Sequence, residues 1–203
     1  MIADNSLDYG TVEIDFPWLY KGPGNTHGAN GGKGIRPSYG TWTDDRILNF
    51  GIPYRVAKQA HCWIWTPTEK ERVVFAWADR HGWRNVNFTR VWQKQRPTGG
   101  MWAQGDAEYV RLFVRGKMFN ARARYKSELG YFLRSHIGNP HGGPGGSWER
   151  IETRRVHSAK PDVFYRETAC MSPGPHLSLF QRFARPGWYG AGAEYEEGAI
   201  VFP

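Results

Sequence analysis

Cysteine and long apolar segments are both scarce in this sequence. Among 203 residues the only cysteines are Cys62 and Cys170, and their positions match no metal-ligand spacing. Two distant thiols cannot form the disulfide framework of a small secreted domain, so we expect reduced thiols and a cytoplasmic location. The sequence also lacks a signal-peptide pattern and any run of about 18 apolar residues, which a membrane-spanning helix would need. We therefore expect a soluble chain without a membrane partner.

The seven histidines likewise lack the neighbours that metal chemistry requires. A zinc deaminase carries a His-x-Glu motif and a Cys-x-x-Cys motif, and neither occurs here. The sequence thus argues against a zinc deaminase, and no metal site is expected.

Acidic residues are outnumbered, with 19 acidic against 27 basic side chains and a net charge of +8. A basic balance favours a polyanionic partner such as nucleic acid. Between Arg111 and Arg134 seven basic residues face one acid, Glu128, with aromatic residues between them. This stretch predicts a surface for phosphates and bases, with Arg122, Arg124 and Lys126 as contacts, although a solvated helical face would explain it equally well.

The length and the hydrophobic pattern predict one α/β domain over residues 1–203. A strand at 60–65, a helix from 66 to 80 and a strand at 85–94 form a βαβ pattern, typical of a mostly parallel sheet with helices on both faces. Other predicted strands lie at 11–14, 108–115, 151–156, 176–180 and 199–202. Helices are expected after Thr43 and at 161–170, a glycine-rich loop at 185–194, and a basic insertion at about 111–147.

The segment Asp15-Phe16-Pro17-Trp18 follows the first predicted strand. Pro17 cannot continue a strand because it lacks the backbone N–H. In the resulting turn the Asp15 carboxylate and the Pro17 carbonyl could accept the two hydrogens of an exocyclic amino group, while Trp18 stacks on the ring. A strand end followed by a proline turn and a core tryptophan is the competing interpretation.

Several stretches resemble, in the same order, a known family: the N6-adenine methyltransferases that include the catalytic subunit of the mRNA adenosine methylase and many phage and bacterial DNA methylases. The first is the Asp15 turn, which is similar to the family's Asp-Pro-Pro-Trp. The others are Tyr39 to Asp45, Glu108-Tyr109 with Arg115-Gly116, His157 to Tyr165, Ser172 to Arg182, Arg185 to Trp188, and Gly192-Ala193-Glu194.

The resemblance implies a single Rossmann-like methyltransferase domain with permuted motif order and S-adenosylmethionine (AdoMet) as cofactor. It implies methyl transfer to N6 of adenine, with DNA favoured over RNA, in the cytoplasm of a bacterium or a phage-infected cell. A homodimer is left open. The alternatives are methylation of RNA, methylation of the N4 amino group of cytosine, and an inactive nucleic-acid-binding subunit of the same fold.

The resemblance also implies roles for individual residues. The catalytic residues would be Asp15, Pro17 and Trp18. The cofactor would be bound by Asp15, Lys160, Ser178, Phe180, Arg182, Gly192, Ala193 and Glu194. The substrate would be bound by Trp18, Tyr39, Lys94, Trp102, Arg122, Arg124, Lys126 and His157.

Three positions depart from the family pattern. Phe16 replaces the first proline of the turn, Ser178 stands where the family usually has glutamate, and Ala193 stands where it has asparagine. A lost neutral hydrogen bond costs ~1 kcal/mol, so the last two changes together predict roughly tenfold weaker cofactor binding or more.

Overall fold

The computed structural model describes residues 1–19, 40–98, 105–117, 148–149, 160–181 and 184–192, with 93–98, 105–106 and 148–149 described by their backbone. Within these ranges, seven strands form one sheet in the order β5-β3-β4-β2-β1-β6-β7. Their bounds are β1 (Tyr9–Ile14), β2 (Val56–Thr66), β3 (Arg84–Thr98), β4 (Gly105–Arg115), β5 (Trp148–Glu149), β6 (His176–Leu179) and β7 (Trp188–Ala191).

The sheet is mostly parallel. Strand β4 pairs antiparallel with both of its neighbours, β2 and β3, whereas β1 pairs parallel with β2 and β6, and β5 and β7 pair parallel at the two edges. The predicted α/β class with a mostly parallel sheet is therefore confirmed. The predicted βαβ pattern is present: β2 and β3 run parallel to each other, since both pair antiparallel with β4, and α2 lies between them in the chain.

Helices cover both faces of the sheet, as predicted. Helix α1 (Asp44–Leu48) begins after Thr43, whose hydroxyl accepts the Arg46 N–H at 3.3 Å. Helix α2 (Glu71–Arg80) follows a short 3-10 helix (Thr68–Lys70), and α3 (Asp162–Met171) lies between β5 and β6. None of the helices in the described part of the chain is long and apolar enough to cross a membrane.

The alternation of side chains along β2 divides the core into two layers. Ile64 belongs to one cluster with Val74 and Trp77 of α2. Trp65 points the other way and contacts Phe164 of α3, with ring centroids 5.0 Å apart. Because successive residues of a strand face opposite sides, α1 and α2 lie on one face of the sheet and α3 on the other.

A buried ion pair crosses the α3 layer, between Arg90 of β3 and Glu167 of α3. Both residues are almost fully buried, and charged side chains occur at such depth mainly when they are paired. The pair holds α3 against β3.

The glycine-rich loop predicted at 185–194 is wrong for residues 188–191, which form the edge strand β7. Leu177 of β6 pairs with Tyr189 there, and Ser178 pairs with Gly190. Glycine weakens an isolated strand, but pairing with a buried neighbour outweighs that preference here. The predicted strands at 151–156 and 199–202 lie outside the described residues, as does the predicted basic insertion beyond residue 117.

Candidate functional site

The central strand β1 marks the place where the order of the strands reverses. From β1 the chain continues to β2 on one side, while β6 lies on the other side. In open parallel sheets ligands bind in the crevice at such a point, beyond the carboxyl ends of the strands. Asp15 is the first residue after β1 and Phe180 the first after β6, and the Asp15 N–H donates to the Leu179 carbonyl at 3.5 Å.

Lys160 joins two carboxylates at this edge of the sheet. Its Nζ lies 3.1 Å from Oδ1 of Asp15 and 2.7 Å from Oε2 of Glu108, and its side chain is only 8% exposed. Lys160 leads into α3, while the antiparallel strand β4 begins at this edge and brings Glu108 there. Burial alone would lower the pKa of Lys160, but the two carboxylates outweigh burial and raise that pKa above its usual value.

A third carboxyl group, that of Glu13, lies within β1, two residues before Asp15. Glu13 is 1% exposed, and the Ser178 hydroxyl on β6 donates a hydrogen bond to its Oε2. Its other oxygen, Oε1, has no hydrogen-bond partner within the described part of the chain. Burial raises the pKa of Glu13 to about 8, and Asp15 acts in the same direction, whereas Ser178, Lys160 and Arg185 oppose the rise.

Glu13 and Glu108 are two residues that sequence reasoning did not assign to the site. The sequence feature that could have identified Glu13 as a site residue is a charged residue inside a run of strand-forming residues. In the sequence, Glu108 stands out only as part of the Glu108-Tyr109 stretch that resembles the family motif. What brings Glu108 to Lys160 is the reversed direction of β4, a pairing that local sequence does not reveal.

The ends of β6 and β7 meet beside this group of charges. The N–H groups of Phe180 and Gln181 both point to the Ala191 carbonyl, at 2.7 and 3.3 Å. Phe180 has a φ of +61°, which is unusual for a bulky residue and is found most often at functional sites. A Cβ on Gly192 would lie 2.9 Å from the Gln181 nitrogen, so only glycine fits there.

Gln181 itself is 4% exposed, and neither atom of its side-chain amide has a partner among the residues described. A buried amide without partners is uncommon in folded proteins. Gln181 lies beyond the ends of β6 and β7, where its amide is a candidate contact for a polar ligand.

The turn after Asp15 is packed more tightly than a base-stacking surface would need. The Pro17 carbonyl accepts the Trp42 N–H at 2.7 Å. Trp18 is 6% exposed and contacts Phe16 edge-on, with ring centroids 5.3 Å apart, and its indole N–H has no partner among the described residues. Phe16, which replaces the family's proline, packs into the core against Trp77.

The remaining predicted site residues divide into two groups. Ser178 lies in β6 with its hydroxyl bound to Glu13, and Lys94 lies in β3, where only its backbone is described. Outside the described residues lie Tyr39, Trp102, Arg122, Arg124, Lys126, His157, Arg182, Ala193 and Glu194.

Two arginines of the predicted basic stretch, Arg111 and Arg115, lie within a strand. Residues 111–115 belong to β4, and their arginines are used inside the fold. Arg111 pairs with Glu71 and donates to Thr89 Oγ1 at 2.8 Å. Arg115 donates to the His81 carbonyl at 3.0 Å and lies over the Trp83 ring. These two side chains stabilise the packing of β4, so the predicted basic surface cannot include them as unpaired cations.

No group of three or more histidine, cysteine or acidic side chains in the described ranges could hold a metal ion. Compared with protein-family models and with curated proteins, the chain matches none.

Proposed function

We propose that the chain is an AdoMet-dependent methyltransferase that acts on the N6 amino group of adenine in DNA. The observation that carries the proposal is the Asp15 carboxylate at the carboxyl end of β1, where the strand order reverses, held by a lysine that also has Glu108 as a partner. The motif order and the mostly parallel sheet support a permuted Rossmann-like domain. Action on DNA would imply the cytoplasm of a bacterium or an infected cell.

The groups at this edge of the sheet fit a molecule that carries a carboxylate, an ammonium, a sulfonium and ribose hydroxyls. The Lys160 ammonium suits the carboxylate, and the Asp15 carboxylate suits the cationic groups. The Gln181 amide, which has no partner among the described residues, offers a donor and an acceptor for hydroxyls, next to the closely packed Gly192. When bound, AdoMet supplies an electrophilic methyl group for transfer in line with the attacking nitrogen.

Asp15 would act on the amino group of the target base. Its carboxylate accepts one amino hydrogen, which localises electron density on nitrogen and stabilises the positive charge that develops there. Lys160 can release Asp15 for this task without becoming an unpaired buried charge, because Glu108 lies 2.7 Å from its Nζ. The Pro17 carbonyl uses one lone pair for Trp42 and keeps the other for the second amino hydrogen.

The preference for DNA over RNA rests on the family resemblance, which is an analogy at the level of the fold. The net charge of +8 suits either polyanion equally. The methyl-transfer experiment therefore has to compare DNA and RNA as separate substrates.

A second candidate is an inactive nucleic-acid-binding subunit of the same fold. The observation in its favour is the tight turn, in which Trp18 is buried against Phe16 and the Pro17 carbonyl is bound to Trp42. Such packing leaves little room for a stacked base. AdoMet binding separates the candidates, because the inactive subunit has no use for the cofactor.

The test is methyl transfer from labelled AdoMet to separate DNA and RNA substrates. We expect transfer to DNA, and Asp15→Asn should lower the rate by ~10²–10³-fold, the usual cost of removing one group that stabilises the transition state. Asp79→Asn is the matched control, since Asp79 is an exposed carboxylate at the far end of α2, and it should keep the wild-type rate. A variant at Asp15 that retains more than about a tenth of the wild-type rate would remove Asp15 from the mechanism.

A further inference from the structure

The carboxyl group of Glu13 is out of place in a central parallel strand. Such strands are buried on both faces and normally consist of apolar residues, as Val12 and Ile14 do here. Burying a carboxyl group costs free energy unless hydrogen bonds compensate for the lost water. Glu13 has one such bond, from Ser178, and its Oε1 has none within the described ranges. An apolar residue would serve the fold better.

The partner of Glu13 is a position where the family resemblance expects a glutamate. Glu13 and Ser178 are paired residues in the register of β1 and β6. The residues flanking each of them, Val12, Ile14, Leu177 and Leu179, belong to the core cluster on the α2 side. Because side chains alternate, Glu13 and Ser178 both point to the α3 side and occupy adjacent positions on it.

We propose that Glu13 supplies, from β1, the carboxyl group that the resemblance expects at position 178 of the cofactor site in β6, and that it acts as a positioning residue for AdoMet. In this chain the carboxyl group lies on β1 instead of β6. Ser178 occupies the paired position on β6 and donates a hydrogen bond to the carboxyl group. This inference rests on the proposed function.

Glu13 acts through the charged and titratable groups that surround it. These come from β1 itself, from the segment leading into α3, from α3, from the segment before β7 and from β2, and they are Asp15, Lys160, Tyr165, Arg185 and Cys62. A cation bound beside Asp15 adds a positive charge to this group. The ionised form of Glu13 is favoured by that charge, and the negative charge of Glu13 in turn strengthens the binding of the cation.

The reciprocal effect makes cofactor affinity depend on pH. With a pKa of about 8, Glu13 holds its proton in most molecules at pH 7. A ligand that requires the ionised form must release this proton to the solvent, so its affinity rises with pH and levels off above the pKa. About a tenth of the Glu13 groups are ionised one pH unit below the pKa, so ionisation of Glu13 should by itself raise the affinity for AdoMet roughly tenfold between pH 7 and pH 9.

Calorimetric titration of the full chain with AdoMet and with S-adenosylhomocysteine at both pH values tests the inference. The two ligands share the amino group, which itself titrates near pH 8. Only AdoMet carries the sulfonium charge. We expect the wild type to gain roughly tenfold more affinity for AdoMet than for S-adenosylhomocysteine between pH 7 and pH 9, and Glu13→Gln to lose this difference.

Two further variants distinguish a role of Glu13 in positioning AdoMet from a purely structural role. The exchange Glu13→Ser with Ser178→Glu returns the carboxyl to β6 and should restore the pH-dependent affinity that Glu13→Ser alone removes. Thr11→Val changes another buried polar residue on the same face of β1, remote from the carboxyl edge, and should leave the AdoMet affinity at both pH values unchanged.

The results distinguish the role of Glu13 from the proposed methyltransferase function. If Glu13→Gln keeps the wild-type pH dependence for AdoMet, or if the folded exchange variant shows no recovery, the role of Glu13 is refuted while the proposed function stands. If the wild type binds neither ligand at either pH, the proposed function and this inference fail together.

Discussion

Replacing Glu13 by glutamine should stabilise the protein, and the gain should grow with pH. Below pH 4.5 the carboxyl group is protonated in both the folded and the unfolded chain, so the fold keeps its full stability. Between pH 4.5 and about 8 the unfolded chain releases the proton while the folded chain holds it, and stability falls. Above about pH 8 the folded chain ionises as well, and the loss levels off.

The size of the effect follows from the raised pKa. Each pH unit between 4.5 and about 8 costs ~1.4 kcal/mol, so the wild type has lost roughly 3 kcal/mol by pH 7. Glutamine has nearly the same shape, can accept the Ser178 hydrogen bond and never ionises. Glu13→Gln should therefore match the wild type at pH 4.5 and exceed its free energy of unfolding by roughly 3 kcal/mol at pH 7.

Urea unfolding followed by the fluorescence of the ten tryptophans measures this difference at several pH values. The control is Glu69→Gln, an exposed acid in the 3-10 helix, which should show no such trend. A difference between Glu13→Gln and wild type that stays the same from pH 4.5 to pH 7 would refute a buried, protonated Glu13. Higher stability together with weaker AdoMet binding would mark Glu13 as a residue kept for function at a cost to the fold.

Two further predictions concern charged side chains elsewhere. Lys160→Met leaves Asp15 and Glu108 without their shared cation and should lower the free energy of unfolding by about 3 kcal/mol, whereas Lys160→Arg should lose less; urea unfolding of both variants checks this. Replacing Arg122, Arg124 and Lys126 by glutamine should lower the log-log salt slope of nucleic-acid binding by ~0.7–0.9 per lost contact without changing AdoMet affinity. The control variant Arg111→Gln should leave that slope unchanged because Arg111 pairs with Glu71. Equal slopes for the triple variant and the wild type would exclude phosphate binding by Arg122, Arg124 and Lys126.

The elements with a strong local pattern were predictable from the sequence. Strand β1, helices α2 and α3 and strand β6 lie close to their expected positions, because each combines an apolar pattern with a proline or glycine near its end. Strand β7 was not predictable in this way. Its pairing with β6 decides its conformation, and its Gly190 signals a loop.

The candidate site was predictable in part. Asp15 and Lys160 were expected to lie in one site, and they are 3.1 Å apart. The Glu13 contact to Ser178 joins residues 165 positions apart in the chain, and only the register of β1 and β6 makes it visible. The burial of Trp18 likewise depends on residues far along the chain, because Trp42 and Phe50 complete the aromatic cluster around Phe16 and Phe180.

The proposed reaction is methylation of adenine N6 in DNA at the carboxyl edge of β1. Its most direct test is mass analysis of the nucleosides from DNA incubated with the chain and AdoMet bearing a trideuterated methyl group. We expect trideuterated N6-methyldeoxyadenosine with the wild type and almost none with Asp15→Asn. Label found only in N4-methyldeoxycytidine, only in RNA, or in no nucleoside would contradict it.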